Sequence, residues 1–542
     1  MAVNMTAQDA QCHDSGAAAR QDSARRREFR STFLITGLRM TGKTLGIVKT
    51  LVIAAWFGAS GALDAFWVAY LIPQLMPGLI LGVVSTAFIP SFMRSAGKDG
   101  DNLDWRGLNT LFTLVGLVIV GIALVVVFAR DPLVHAMAPG LPDDVHALAA
   151  RLTALMAIAV LFFGINAMLS AVMQATHRFG IMSLESIITN VVIIAGTILL
   201  SESLGVTGLA YAVIAGFGIH TILMLWANRD LVRHKLRPAF DFSHGDFRGS
   251  AGHMLPLLAG YFGAIGVSIV DRIFVSTLDS GAISVLVYAS MIALLPMEVF
   301  GQAVFTAFYP ALSRDHANGN FTGMREAQVR GMRLLLFVLL PATVVLVMGS
   351  DAIITLLLER GAFTAEDGAL TAMTLAALAI GLPVRAINYF NFRVLHARRE
   401  AWTAVSIGLF GVCLNVVLDM LLIDPYGVVG IALATSLSMA ACAVVSTIML
   451  QRRQRASVVR PMLKPLGKLA LMTLALGGIA APPLFFIGRL QMPEWLAMLL
   501  QLLALVPACI AYLFAGHLLR LDEVDSLLKF LRRRLARGEG AA

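Results

Sequence analysis

Several basic side chains lie inside long apolar segments of the sequence. Lys43 and Lys49 fall in the first such segment, Arg272 in the seventh and Arg385 in the tenth. An ionised group at membrane depth costs about 3 kcal/mol on insertion scales, so it usually faces a cavity and serves function. Arg39 shares a helix face with Lys43 and either joins this group or reaches the membrane surface. We therefore predict a net positive cavity suited to an anionic head group such as a pyrophosphate.

A second group of residues offers oxygen atoms. Asn415 and Asp419 are four residues apart on one helix face, Thr435 lies in the next apolar segment, and Asp271 lies in the seventh. Carboxylate, amide and hydroxyl oxygens are the ligands that a small hard cation prefers. Hydrogen bonding between helices is the other explanation for Asn415 and Thr435. The set predicts a possible sodium or proton site.

Two further carboxylates are candidates for gating or coupling. Asp64 is placed at the outer end of the second apolar segment, and Glu298, in "PMEVFGQ" of the eighth, is the weaker candidate.

The elements that must position these residues are transmembrane helices. The chain has 542 residues, of which 58% are hydrophobic and only 14% charged. Windows of about 20 apolar residues can cross a bilayer, and their continuous apolar runs exclude the alternation of a β-barrel. About fourteen such spans are predicted, over residues 31–57, 66–93, 107–129, 147–174, 182–201, 205–227, 251–276, 282–311, 328–349, 367–392, 402–423, 427–450, 467–488 and 494–519.

The distribution of basic residues fixes the expected topology. Of the 42 Lys and Arg, 33 lie in or beside the tails and connections on one side of the predicted spans, and four lie on the other. The positive-inside rule therefore places both termini in the cytoplasm. Residues 1–30 read as a disordered basic tail and 521–542 as a basic C-terminal tail. The formal charge of +9 is thereby explained by topology, without nucleic acid as a partner.

One motif is misleading. "GLRMTGKT", Gly37 to Thr44, satisfies the phosphate-loop pattern GxxxxGK[ST]. That loop joins a strand to a helix in a soluble α/β unit, whereas this stretch lies in the first predicted span. No nucleotide is expected as a ligand.

The chain also contains an internal repeat. "STAFIPSFMRS" at 85–95 recurs as "FTAFYPALSRD" at 305–315, and Thr86 and Thr306 are 220 positions apart. The copies fall on spans 2 and 8, which cross in the same direction. This predicts parallel repeats, with lobes at 31–237 and 238–455 around a central cavity and two extra helices at 456–520. The predicted fold class is an all-α polytopic membrane protein.

Several stretches together resemble one family. "LGIVKTLVIAAWFGASGALDAFWVAYLIPQL", "VDRIFVSTLDSGAISVLVYA", "TAFYPALSRD", "RGAFTAEDG" and "GVVGIALATSLS" are similar to the MurJ/MviN family of the multidrug/oligosaccharidyl-lipid/polysaccharide exporter superfamily. The resemblance covers residues 31–450. It implies a bacterial inner-membrane flippase that moves lipid II outward by alternating access, with the last two helices forming a groove for the lipid tail.

The match to the family's functional positions is uneven. Two family arginines fall on Lys43 and Lys49, which keep the charge but lose the planar fork of a guanidinium. The family aspartate of span 2 is kept as Asp64, a basic position falls near Pro77, and "YADR" becomes "YASM", which places Met291 at an arginine position. The resemblance also implies the cation site described above, with sodium or a proton as the coupling ion and no other cofactor.

The sequence thus favours a monomeric, non-enzymatic flippase whose partners are membrane lipids and a polyprenyl-pyrophosphate-linked glycan, with lipid II as the favoured substrate. A flippase for a lipid-linked exopolysaccharide precursor is the main alternative. A cation-coupled drug exporter is disfavoured by the positive cavity. A membrane-embedded glycosyltransferase is disfavoured by the short external connections.

Overall fold

The computed structural model describes residues 37–38, 40–95, 105–175, 180–241, 261, 263, 265–398, 400–454, 457–487 and 492–524. The predicted N-terminal tail, Arg39 and residues 525–542 lie outside that part of the chain. Within it, every regular element is a helix. The prediction of an all-α fold is therefore confirmed.

In the described residues the first half contains six helices of 18 or more residues and two short α-helices. Residues 40–57 form α1, which includes most of "GLRMTGKT" as continuous helix and not as a phosphate loop. The remaining elements are α2 (Gly61–Ser95), α3 (Trp105–Phe128), α4 (Arg130–Met137), α5 (Asp143–Ala175), α6 (Glu185–Leu204), α7 (Val206–Ala227) and α8 (Arg229–His234). α2 packs along α5, and α6 packs along α7.

The second half repeats this plan. Residues 265–275 form α9. They are followed by α10 (Ala282–Pro296), a π-helical turn (Met297–Gly301), α11 (Gln302–Ala317), α12 (Phe321–Met348), α13 (Ser350–Leu358), α14 (Ala365–Ile380), α15 (Leu382–Ala397), α16 (Ala401–Gln454), α17 (Val459–Ile487) and α18 (Glu494–Leu518). α10 packs on α14, α15 packs on α16, and the pair α17 and α18 packs against α12 and α13.

Length and composition qualify many of these helices as membrane spans. In the described residues ten helices are long and apolar enough, or up to twelve if each of two bent pairs is one span. The bends measure 86° between α3 and α4 and 45° between α14 and α15. α16 is counted once although it is broken at Gly427, between the two spans predicted at 402–423 and 427–450. A polytopic protein is confirmed, and the number fourteen stays a prediction.

The two halves share local details that sequence comparison alone did not reveal. The short helices α4 and α13 begin at Arg130 and Ser350, which are 220 positions apart. Gly205 and Gly427 separate α6 from α7 and the two parts of α16, with nearly equal backbone angles of φ 57°, ψ −141° and φ 54°, ψ −133°. These equivalences agree with a duplication, while the lobe boundaries remain as predicted from sequence.

The start of the predicted C-terminal tail is packed against the bundle. Leu521 and Val524 are both 3% exposed, and Arg333 of α12 forms an ion pair with Glu523 at 2.6 Å. The first residues of the predicted tail, 521–524, therefore pack on the bundle, while the basic cytoplasmic tail itself stays a prediction. Leu521 and Val524 pack beside α12, and hydropathy windows do not predict this packing.

Candidate functional site

A cavity of about 680 Å³ lies between helices of the two halves. Helix α1 contributes Lys43 and Lys49, and the second half contributes Met291 from α10 and Glu298 from the π-helical turn. The third wall is α6 and the turn before it, which carry polar side chains at helical spacing: Ser183, Glu185, Ser186, Thr189 and Asn190. Both lysines thus lie where the sequence places them, in a cavity between the halves.

Lys43 joins the two halves across this cavity. Its Nζ lies 3.1 Å from Oε2 of Glu298, and the two side chains are 38% and 57% exposed. Glu298 follows Pro296, in a π-helical turn where one extra residue re-aims the side chains; such turns are frequent at functional sites. Partial exposure keeps the pair weak, at about 0–1 kcal/mol. A weak ion pair between halves can be exchanged for another partner of Lys43.

The charge of the cavity differs from the sequence prediction. Two lysines and two glutamates line it, so the described lining residues are balanced and not net positive. Arg272 and Arg385 are not among those lining residues. Arg272 donates to the backbone carbonyl of Trp67 at 3.1 Å, and both arginines lie close enough to Asp271 to interact with its charge.

Asp64 closes the opposite end of the space between the halves. Its Oδ2 accepts from the backbone N–H of Gly281 at 2.7 Å, and its Oδ1 accepts from the N–H and the hydroxyl of Ser284 at 2.8 and 2.6 Å. The carboxylate of the first half therefore caps the N-terminus of α10 in the second half, where negative charge is favoured. Asp64 is 2% exposed.

Backbone contacts reinforce that closure. Gly281 has φ 94°, and a Cβ there would collide with the carbonyl of Ala59. The N–H of Ala362 donates to the carbonyl of Ala55 at 2.8 Å, and the hydroxyl of Tyr288 donates to the carbonyl of Gly58 at 3.3 Å. These contacts join the end of α1 to α10 and to the connection that contains Ala362. Opening this end requires all of them to separate.

The four residues of the predicted cation site lie together in the second half. The Thr435 hydroxyl donates to Oδ2 of Asp271 at 2.8 Å, and Asn415 donates to Oδ1 of Asp419 at 3.3 Å. Three buried oxygens, Asp271 Oδ1, Asn415 Oδ1 and Asp419 Oδ2, have no hydrogen-bond partner among the described residues. In that same part of the chain no cluster of three His, Cys, Asp or Glu is placed to hold a metal. The oxygen set therefore suits a weakly bound monovalent cation or a proton better than a transition metal.

Sequence reasoning missed the contribution of α6. Asn190 donates to the backbone carbonyl of Gly42 in α1 at 3.0 Å, and Glu185 lines the cavity one turn away. The spacing of Glu185 and Thr189, and of Ser186 and Asn190, is four residues within an apolar segment. Such a polar stripe is the signal that would have predicted a cavity wall.

Apolar helices in two related halves, with a charged cavity between them that is closed at one end, define a membrane transport protein with an alternating-access architecture. A family model described as "Lipid II flippase MurJ" matches residues 53–506. The chain belongs to the MurJ lipid II flippase family. The match reaches beyond α16 into α18, further than the motifs quoted from the sequence.

Individual relatives agree with this assignment. A probable lipid II flippase MurJ of Thermotoga maritima is 30% identical over 404 residues, which are 72% of this chain and 79% of that protein. A solved structure of lipid II flippase MurJ in an inward closed conformation has a TM-score of 0.76 at 22% identity and covers 90% of this chain and 99% of its own. An inward-facing multidrug resistance MATE family transporter of the MOP superfamily has a TM-score of 0.63 at 12% identity, covering 78% of this chain and 98% of its own. The two solved structures share the fold.

Proposed function

We propose that this protein is a lipid II flippase, which moves the undecaprenyl-pyrophosphate-linked precursor of peptidoglycan outward across the bacterial inner membrane. Membership of the MurJ family supports the substrate. The observation that carries the proposal is the cavity between the halves, with Lys43 and Lys49 on one wall and the Asp64 contacts closing the other end. The ammonium groups of Lys43 and Lys49 are suited to bind the phosphate oxygens of a pyrophosphate as point charges.

In this proposal Glu298 occupies the ammonium group of Lys43 until the substrate binds. Lys43 pairs with Glu298 in the structure, and an arriving phosphate competes with that carboxylate for the same ammonium group. Because the pair joins the halves, its exchange removes one of their contacts on the cavity side. A ligand shifts a conformational equilibrium only by its differential affinity for the two states. Loss of the Lys43–Glu298 pair supplies such a difference.

Outward opening then separates Asp64 from α10. We propose that cation binding at Asp271, Asn415, Asp419 and Thr435 biases this step, with sodium or a proton as the ion. The three buried oxygens without hydrogen-bond partners support the location. Asp271 also interacts electrostatically with Arg385, and a bound cation would replace this arginine as the partner of the carboxylate. Asp64 acts as the gate, and cation binding sets the equilibrium between the closed and the open gate.

The proposal also covers the form of the protein in the cell. It acts as a monomer, with both termini in the cytoplasm, and performs no covalent chemistry. The concentration of 33 basic residues on one side of the predicted spans supports this orientation.

A flippase for another polyprenyl-pyrophosphate-linked saccharide, as used for exopolysaccharides, is the second candidate. Met291 lines the cavity at a position where the family pattern places an arginine. One basic group fewer near the pyrophosphate is the observation that favours a different head group.

Replacement of the sole lipid II flippase in a test bacterium decides between these substrates. Growth on this chain is expected for a lipid II flippase, and failure with correct membrane insertion favours the exopolysaccharide precursor. Lys49→Ala should abolish growth without loss of folded protein. Lys464→Ala, which changes an exposed lysine of α17, is the matched control and should grow normally.

A further inference from the structure

A second open cavity, of about 610 Å³, lies beside α11, the helix that follows the π-helical turn at the first cavity. Its lining residues are Tyr309, Ser313, His316 and Ala317 of α11, and Ala397 at the end of α15. Within α11, Phe305, Tyr309, Ser313 and His316 follow one another at intervals of four, four and three, so they lie on one helix face. Tyr309 is about 16 Å along the helix from Glu298 at 1.5 Å per residue.

An arginine is fixed on aromatic rings beside this cavity. The guanidinium carbon of Arg393 lies 4.4 Å from the ring centre of Phe305 and 5.0 Å from that of Tyr389. Phe305 also contacts Tyr309, with ring centres 4.9 Å apart. Arg393 precedes Ala397 by one helical turn, so the cation and the cavity lie on one face of α15.

Arg393 keeps hydrogen-bonding capacity for a ligand. Its Nη2 makes one long contact of 3.4 Å to the hydroxyl of Tyr389. Glu400, the nearest carboxylate in sequence, pairs with Arg398 and Arg453. A guanidinium stacked on rings is held in one plane, and its edge donors fit a carboxylate in a bidentate way. His316 adds a buried Nδ1 that has no hydrogen-bond partner in the described part of the chain.

The geometry points to a recognition site for the glycan end of the substrate head group, and specifically for a carboxylate carried on it, with Arg393 as the anchoring residue. This inference rests on the proposed function. The pyrophosphate occupies the cavity at Lys43 and Lys49, and the saccharide with its attached acid extends along α11 to the second cavity. There Tyr309 offers a ring for the apolar face of a sugar, and Arg393 with His316 offers donors for the acid.

Two lipids test this assignment with the full chain in nanodiscs of a zwitterionic phospholipid. One is a polyprenyl pyrophosphate that carries a carboxylate-bearing glycan, and the other is polyprenyl pyrophosphate alone. Arg393→Ala should weaken binding of the first lipid about tenfold to a hundredfold, the range for hydrogen bonds to charged groups, and leave the second unchanged. Arg393→Lys should fall between, because it keeps the charge and loses the fork. Arg330→Ala, at an exposed position of α12, should change neither.

The outcomes separate the inference from the function it rests on. Binding of polyprenyl pyrophosphate that is lost in Lys49→Ala supports the proposed function by itself. Given that result, equal binding of the glycan lipid by Arg393→Ala and the unchanged protein overturns the inference, as does an equal loss for both lipids. If Arg393→Ala instead loses binding only to an anionic phospholipid, added as a third lipid, the cavity is a site for membrane lipid and the inference is overturned. If the unchanged protein binds neither lipid, both the function and the inference fail.

Discussion

Asp64 and Ser284 lie at equivalent positions of the two halves, 220 residues apart, and hydrogen-bond directly to each other at 2.6 Å. The two copies of the repeat are therefore in contact at this point, and each contributes a different chemical group. One supplies a carboxylate and the other a hydroxyl together with the N-terminus of α10. A symmetric Asp–Asp pair would repel, and a Ser–Ser pair would bring no negative charge to the helix N-terminus.

Asp64→Asn should open this end of the protein. The amide retains one acceptor for three donors, and hydrogen bonds to a charged group are worth about 1.5–3 kcal/mol. The measurement is thiol labelling of Ala282→Cys, a position only 5% exposed, in a background without the four native cysteines. Labelling by a membrane-impermeant reagent from outside should rise about tenfold or more.

Ser284→Ala provides the graded control for that experiment. It removes one of the three donors and leaves the backbone N–H groups of Gly281 and Ser284 on the carboxylate. A smaller rise in labelling is expected. Equal labelling of Asp64→Asn and the unchanged protein would show that the gate does not depend on Asp64.

Glu298→Gln should strengthen binding of polyprenyl pyrophosphate. The change frees Lys43 from its partner, and a half-exposed ion pair is worth about 0–1 kcal/mol, so the gain is at most about fivefold. Glu185→Gln removes the same charge from the cavity without freeing Lys43, and its gain should be smaller. The exchange mechanism is excluded if the two variants bind alike.

Most of the fold could be predicted from hydropathy because each span carries its own apolar signal. The spans predicted at 182–201 and 205–227 correspond closely to α6 and α7. The 86° bend into α4 and the π-helical turn Met297–Gly301 were not predicted, since both depend on packing between helices. The internal repeat was visible in sequence, and the shared geometry of Gly205 and Gly427 agrees with it.

The site was predicted less completely. The sequence shows how far along a membrane span a side chain lies, but it shows less well which way the side chain points around the helix axis. Lys43 and Lys49 do line the cavity, but Arg272 turns to the carbonyl of Trp67. Glu185 was not predicted, because its apolar segment contains no basic residue that would have indicated a charged site. The spacing of Asn415 and Asp419 placed them on one face, and the two do hydrogen-bond to each other, while cation binding there stays a prediction.

Asp419→Asn should weaken or remove the coupling of transport to the cation. It replaces one of two carboxylates in a site whose affinity depends on the number of ligand charges, so the cation concentration for half-maximal transport should rise at least about tenfold. Transport into vesicles with imposed sodium or proton gradients measures this and identifies the ion. Thr371→Val, a buried threonine of α14 whose hydroxyl bonds only within its own helix, is the control. An unchanged dependence on both gradients in Asp419→Asn would place coupling elsewhere.

Gly205→Ala and Gly427→Ala should destabilise the protein by about 1–3 kcal/mol each, the cost of a side chain in a backbone region that suits glycine. At both positions a Cβ would meet nothing within 4 Å, so the cost comes from φ values of 57° and 54° and not from collision. The melting temperature of the detergent-solubilised protein measures the effect. Gly467 of α17 also has open space around it but lies in an ordinary helix. Gly467→Ala should therefore stabilise by up to about 1 kcal/mol. A similar loss in all three variants would mean that backbone conformation does not explain why glycine separates the paired helices in both halves.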